Sequence, residues 1–266
     1  MPEIIAAMDE PAVSDIMAVA VAQAGTLGNG GSTSFGPFTA SYGASATFSG
    51  GSVKLFTPNV VQIANLTLNY TVSFNLSFDL SSIIPNFYFP GVKVKIFKKW
   101  FVIIPAFTID WPTVTIPVSY SDKVTFSANF ALQTTFDGTS WHVKTVILGM
   151  PALQIGPAAS AILVLIGAAA GPVLLAVPFI GLAGVSVVGS ITTALGISGV
   201  TNLLHLVLNP FLAGRTFELY NQPKHFQLLP AVAPVSPPVF INLTSVAAAV
   251  VNNGEPELEL SVDIAP

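Results

Sequence analysis

The chain has 266 residues, of which 52% are hydrophobic and 8% are charged, and its formal net charge at pH 7 is −4. An average soluble domain carries about 25% charged residues, so this composition excludes general disorder and indicates a membrane-associated or lipid-handling protein. The acidic balance and the lack of a basic stripe with interleaved aromatics argue against nucleic acid as a partner. The absence of cysteine excludes disulfides and thiolate chemistry.

The N-terminal segment, residues 1–24, is predicted to hold an amphipathic helix over residues 9–24. Asp9 or Glu10 can cap it, and Pro11 suits its first turn. No signal peptide is visible, because acidic residues stand where a secretion signal needs a basic start. We therefore expect a protein that is cytoplasmic or released by a non-standard route, in either case with an affinity for membranes.

Long alternating strands are predicted between residues 53 and 148. Before them, residues 25–52 are rich in Gly, Ser and Thr and predict a loop with three short runs of strand. Residues 66–80 alternate apolar and polar side chains without a miss, which indicates one long strand with an apolar face. A second alternation over 123–136 is followed by an Asp137-Gly138 turn and a strand over 141–148, as in a hairpin. Pro112 to Pro117 predict a curved or edge strand before it.

A basic hairpin is predicted within this region, with strands over 92–97 and 101–107. We predict a membrane-docking tip, because lysines attract anionic headgroups and aromatic side chains enter the interface. The alternative is a charged edge hairpin whose lysines prevent sheets from aggregating. The residues concerned are Lys93, Lys95, Lys98, Lys99, Trp100 and Phe101.

An apolar helical region is predicted over residues 152–213, within a run, 145–214, that contains no Asp, Glu, Lys or Arg. Prolines divide the run, so helices should stop or kink at them. Residues 158–171 are too short to cross a bilayer, which takes about 20 residues. Residues 179–209 are long enough, but their last part is two-faced, which is typical of a helix lying on an apolar sheet. The apolar side of this part comprises Val200, Leu203, Leu204, Val207, Leu208 and Phe211, and its polar side comprises Thr201, Asn202, His205 and Asn209.

The C-terminal segment, residues 214–266, predicts strands that end in a hairpin over 239–251 and 258–264. Asn253-Gly254 supplies the turn of that hairpin. The whole chain is expected to form a single elongated domain.

Three of these parts together resemble the tubular lipid-binding superfamily, which includes bactericidal/permeability-increasing proteins, insect takeout-like carriers and bacterial relatives. They are the opening helix around 12–24, the long strands at 66–80 and 123–136, and the amphipathic helix end at 199–212 with the strands after it. The resemblance implies an α+β fold in which a long, highly curved antiparallel sheet wraps around apolar helices. It also implies that lipid tails lie in a hydrophobic groove or tunnel between the sheet and the helices.

The leading functional hypothesis is therefore a lipid-binding or lipid-transport protein without enzymatic activity, metal or cofactor. The three histidines lie in separate elements, and no nucleophile elbow or phosphate-binding loop occurs. Tails would be held by burial of apolar area rather than by specific polar contacts. The expected lining consists of Phe74, Leu76, Phe78, Phe126, Phe130, Ile162, Leu165, Leu174, Leu203, Val207 and Phe211.

Two alternatives remain open. A pore-forming or membrane-inserting protein would also use long strands that alternate Ser, Thr and Asn with apolar residues, or would insert the uncharged run as a helical hairpin. A structural subunit would cover its apolar surface with copies of itself or with an assembly partner.

Overall fold

The structure, a computed structural model, describes residues 2–35, 37–82, 86–96, 99–177, 184–229 and 237–265. Its helices are α1 (Glu10–Gln23), α2 (Gly156–Leu175) and α3 (Gly184–Leu212). Its strands are β1 (Ile4–Met8), β2 (Leu27–Phe35), β3 (Phe38–Phe56), β4 (Val60–Asp79), β5 (Phe87–Phe89), β6 (Val92–Ile96), β7 (Lys99–Ile104), β8 (Phe107–Ile109), β9 (Thr113–Phe136), β10 (Ser140–Ile147), β11 (Thr216–Pro223), β12 (His225–Leu229), β13 (Val239–Asn252) and β14 (Pro256–Ala265).

The centre of the fold is a six-stranded antiparallel sheet in the order β11-β10-β9-β4-β3-β2. Strands β4 and β9 have 20 and 24 residues, so β4 alone extends over about 65 Å at roughly 3.3 Å per residue. A sheet this long must twist and bend, and this one curls into a half-barrel. The predicted α+β class with a curved antiparallel sheet is confirmed.

The prediction of a loop over residues 25–52 is wrong, because this segment forms β2 and most of β3. The side chains of β3 do alternate, but several of the inward ones are alanines, such as Ala40 and Ala46, which give a weak apolar signal. Strand β3 follows β4 in register from Phe38↔Phe78 to Phe56↔Val60. Pairing with the long strand β4 therefore orders β3, although the small side chains of β3 do not by themselves indicate a strand.

Helices α2 and α3 pack against the buried apolar face of the sheet. The buried side chains of α2 follow four-residue steps, with Ile162, Ile166, Ala170 and Leu174 on one face, as expected for a helix with one core-facing stripe. The six apolar residues predicted for one side of the last part of α3 are all buried, and its four polar residues are partly or fully exposed. Helices and sheet together form one continuous buried cluster.

Prolines interrupt the helices less than the sequence predicts. Pro157 lies in the first turn of α2, where its missing N–H has no helical partner to lose. Pro172 and Pro210 lie within the last turns of α2 and α3, and each helix continues a few residues beyond them. The break within α3 is instead at Gly196, whose backbone has φ 59° and ψ 169°. The predicted helix start at residues 179–183 lies outside the described residues.

A smaller four-stranded sheet, in the order β1-β14-β13-β12, lies beside β10 and β11. Its β13–β14 hairpin is the predicted C-terminal one. A second buried cluster forms between this sheet and β10, with Val143, Leu243, Val246 and Val262 at its centre.

Helix α1 joins the two sheets and begins as predicted, since the Asp9 carboxylate accepts a hydrogen bond from the Ala12 N–H at 2.9 Å. Its side chains also protect the edge of β3. Ser14 Oγ accepts from the Val53 N–H at 3.0 Å, and Glu10 Oε1 accepts from the Leu55 N–H at 2.8 Å. Edge N–H groups that β2 does not reach are thereby paired.

At the far end of β4 and β9 the chain forms an antiparallel arm, residues 86–110, made of the pairs β5–β8 and β6–β7. The arm includes the predicted basic hairpin, whose connecting residues 97–98 lie outside the described residues. Pro117 follows the arm, in the part of β9 (residues 113–129) whose second edge has no strand partner among the described residues. The expected edge strand is confirmed there, because proline cannot donate to a ladder on both sides.

Candidate apolar ligand and membrane-contact sites

Ten of the eleven residues predicted to line a tunnel are buried in the common core. Phe74, Leu76 and Phe78 come from β4, and Phe126 and Phe130 from β9. Ile162 and Leu174 come from α2, and Leu203, Val207 and Phe211 from α3. Their inward direction follows from the two-residue period of the strands and the apolar stripes of the helices. Leu165 lies beside the buried stripe of α2 and is 39% exposed, so it does not face the sheet.

Leu203 also borders a cavity of about 180 Å³ at the seam between α3 and β2, which we call the seam cavity. Its other lining residues are Thr33, Gly199, Asn202 and Leu206. Across the same seam, the Asn29 side chain donates a hydrogen bond to the Val207 carbonyl at 2.9 Å. The seam cavity is smaller than the roughly 300–1,000 Å³ of drug-sized ligand sites. A long tail can enter only if α3 moves away from β2.

A larger depression, about 250 Å³, lies across the sheet and is lined mainly by hydroxyl and amide side chains such as Ser45, Asn69 and Thr71. Its edge includes the Asp122 carboxylate and Tyr70. Burial, with the nearby Asp122 charge, raises the pKa of Tyr70. The depression is polar and therefore unsuited to an acyl chain.

The arm exposes apolar and basic side chains together. Trp100 is 65% exposed, and Val102, Ile103, Ile104 and Phe107 are also exposed. Lys93, Lys95 and Lys99, predicted to contact membranes, are exposed as well. Lys98 lies outside the described residues, and Phe101 is described only as part of β7.

One face of the arm hairpin combines both kinds of side chain. Lys95 pairs with Trp100, and Lys93 with Val102, across β6 and β7, and directly opposed residues point to the same side. The Lys95 ammonium lies 5.8 Å from the centre of the Trp100 ring, within range of a cation–π contact. On this face each lysine therefore lies directly beside an apolar side chain, and this mixture is typical of protein segments that enter a membrane interface.

The arm and the seam cavity lie at the same end of the sheet. Thr33 of the seam cavity aligns through Ala40 with Leu76 of β4. The arm begins beyond Asp79, which pairs with Thr113. Leu76 and Asp79 are three positions apart along β4, which corresponds to about 10 Å at roughly 3.3 Å per residue.

Helix α2 has an outer face without any charge. Val164 is 71% exposed and Leu175 is 70% exposed. By length and composition, Gly156–Leu175 and Val187–Leu212 could each cross a bilayer, with mean hydropathies of 2.2 and 1.5. Core helices of soluble proteins can have the same length and apolar composition, and the inner stripes of both helices are buried in the core.

A polar cluster that the sequence does not predict surrounds His142 on β10. Its Nε2–H donates to Asp137 Oδ2 at 3.0 Å, and its Nδ1–H donates to Glu218 Oε1. Carboxylates only accept, so both contacts form when the imidazole is protonated. The bond to Glu218 and then the bond to Asp137 raise the pKa of His142. In turn His142, with the Ser140 and Thr139 N–H groups, lowers the pKa of Asp137.

Glu218 is far from His142 in sequence and reaches it only through the pairing of β10 with β11. Asp137 lies in the turn just before β10. Its closeness to His142 in sequence was the one feature from which part of this cluster could have been predicted. Among the described residues no group of three or more His, Cys, Asp or Glu side chains is placed to hold a metal ion. The cluster joins the β9–β10 turn to β11.

Comparisons with protein-family models, with curated proteins and with solved structures found no match to this chain.

Proposed function

We propose that this protein binds lipid between its curled sheet and its uncharged helices, and that it docks to anionic membranes through the arm. The observation that carries the proposal is the common position of the arm and the seam cavity at one end of the sheet. A docked arm would hold the seam close to the source of acyl chains.

Charge and apolar area both favour docking of the arm. A lysine near an anionic membrane surface contributes about 1 kcal/mol, so Lys93, Lys95 and Lys99 would contribute about 3 kcal/mol. Trp100 is a side chain typical of the headgroup level of a bilayer. Apolar area removed from water adds about 25 cal/mol per Å².

Loading would require α3 to move away from β2. Gly196 separates α3 into two halves, and the seam cavity borders the C-terminal half. This half would therefore have to rotate about Gly196, with loss of the Asn29–Val207 hydrogen bond. The space opened would extend from Leu203 along the inward side chains of β4. The tail would then replace contacts between helix and sheet.

Docking can be tested with Trp100 as the only tryptophan, in a variant carrying Trp111→Phe and Trp141→Phe. We expect a blue shift of its fluorescence on addition of phosphatidylglycerol vesicles, but not of phosphatidylcholine vesicles. Lys93→Gln, Lys95→Gln and Lys99→Gln together should remove the response. A protein with Trp141 as its only tryptophan is the matched control and should not respond. A Trp100 signal that is unchanged by anionic vesicles would contradict docking.

Lipid binding can be tested by extracting the purified protein and measuring lipid by mass spectrometry. Leu206→Trp, which should fill the seam cavity, is expected to lower the amount of bound lipid. Leu165→Trp on the outer face of α2 is the matched control and should retain it. An extract without lipid from the unmodified protein, even after incubation with vesicles, would overturn this part of the proposal.

The uncharged outer face of α2 favours a second candidate, in which α2 and α3 insert into a bilayer. An inserted hairpin should release dye from vesicles, whereas a carrier should not.

A third candidate is an assembly subunit, which would instead cover the outer face of α2 with a second copy of the chain. A monomer in detergent-free solution, measured by light scattering, would exclude it.

A further inference from the structure

A second apolar cavity, of about 180 Å³, lies where α1, the small sheet and the β10–β11 pair meet. We call it the junction cavity. Val13 and Ile16 of α1 line one side, Leu258 and Leu260 of β14 another, and Val143 of β10 a third. It lies where the two buried clusters meet, since Val13 and Leu258 belong to one and Val143 to the other.

Two alanines in one row of the small sheet create this space. Leu260 pairs with Ala6 of β1 on one side and with Ala248 of β13 on the other, and all three residues line the cavity. The neighbouring rows contain larger side chains, Met8–Leu258–Val250 and Ile4–Val262–Val246. Larger residues at the two alanine positions would occupy the volume, so the cavity results from a local choice of small side chains.

The chemistry of the lining restricts the ligand. None of the lining residues carries a charge, and the Tyr220 hydroxyl is their one strong hydrogen-bonding side-chain group. A charged ligand would lose its hydration without gaining a partner. Burial raises the pKa of Tyr220, so this hydroxyl stays neutral and can donate one hydrogen bond. Apolar cavities of about 150 Å³ in proteins stay dry and take up benzene or xenon.

Access is available along the edge of the small sheet. Ala6 lies on the edge strand β1 and is exposed, and Tyr220 is half-buried. A compact molecule can therefore enter between β1 and β11 without separating the two sheets. The cavity lies at the end of the large sheet opposite to the arm, because Val143 pairs with Thr134 in the last part of β9.

We propose that the junction cavity is a binding site for a compact, uncharged apolar group of about the size of a benzene ring. The group can belong to a free aromatic molecule or to the end of an alkyl chain. This site is separate from the seam cavity and does not depend on the lipid function proposed above.

The test uses thermal unfolding of the full chain with benzene or 1-dodecanol, and diffraction from crystals under xenon. We expect benzene to raise the Tm and xenon to occupy the junction cavity. Ala248→Leu should abolish both effects, because the added methyl groups fill the space. Ala6→Leu, at the exposed edge, gives the same test if Ala248→Leu fails to fold.

Asn202→Leu, which changes the seam cavity instead, is the matched control and should leave the response unchanged. A response to dodecanol that is lost in Ala248→Leu, and that exceeds the response to benzene, would support the site and assign it to an alkyl end. The proposal is overturned if neither compound raises the Tm, or if Ala248→Leu and Ala6→Leu respond like the unmodified protein.

Discussion

His142 makes the stability of the large sheet depend on pH. Its protonated ring donates to both Glu218 and Asp137, and these bonds raise its pKa above the ordinary value of about 6.5. The resulting stabilisation is fully present below the unfolded-state pKa and is lost as pH rises through the higher folded-state pKa.

We therefore predict that His142→Gln lowers the free energy of unfolding more at pH 6 than at pH 9, measured by urea denaturation. An NMR titration of the His142 ring should have its midpoint above 6.5, and Glu218→Gln should lower that midpoint. An equal effect of His142→Gln at both pH values would contradict the two-carboxylate geometry.

Phe211 distinguishes a packed core from the wall of an open tunnel. It is 1% exposed and belongs to the cluster that joins α3 to the sheet. Removing a buried phenyl ring from a close-packed site costs about 3–5 kcal/mol. We predict this loss in the free energy of unfolding for Phe211→Ala, and a loss of about 1 kcal/mol or less for the exposed Leu165→Ala. Similar small losses for both would indicate that α3 is not packed on the sheet as described.

Among the elements, α3 is the one whose shape depends most on a single position. Gly196 has φ 59° and ψ 169°, a region that residues with a Cβ rarely adopt, at a cost of about 1–3 kcal/mol. Gly189 lies within the same helix with open space around its Cβ position. We predict that Gly196→Ala lowers the Tm, while Gly189→Ala raises it through helix propensity. If Gly196→Ala is neutral or stabilising, α3 is one continuous helix.

Elements also differ in how far the sequence predicts them. Strand β4 was predictable from residue 66 onward because large apolar side chains occupy every inward position there. Residues 60–65 were not predicted, because a β-bulge between Ile63 and Leu66 interrupts the alternation. Strands β2 and β3 were not, because glycines and alanines weaken their pattern. Strand β3 is ordered by pairing with β4, and β2 by pairing with β3.

The candidate sites depend even more on pairing between distant segments. The His142–Glu218 contact requires the register of β10 with β11, and the junction cavity requires Ala6, Leu260 and Ala248 to meet in one row. By contrast, the arm's lysines and Trp100 are close together in sequence, so their grouping could be predicted before any fold was known.

In the molecule as a whole, the candidate sites lie at opposite ends of the long sheet. The arm and the seam cavity lie at one end, and the small sheet with the junction cavity lies beside the other. Docking through lysines should weaken with salt, because the Debye length falls from about 10 Å at 0.1 M to about 3 Å at 1 M. A carrier built in this way would meet the membrane end-on and load at the end that touches it.

Membrane docking and lipid transfer can be measured together by following a fluorescent phospholipid between vesicles, with a dye trapped in the acceptor vesicles. We predict that the protein accelerates transfer to anionic acceptors, that the dye stays inside, and that changing Lys93, Lys95 and Lys99 to Gln slows transfer. No acceleration over buffer, or release of the dye at the rate of transfer, would contradict this prediction.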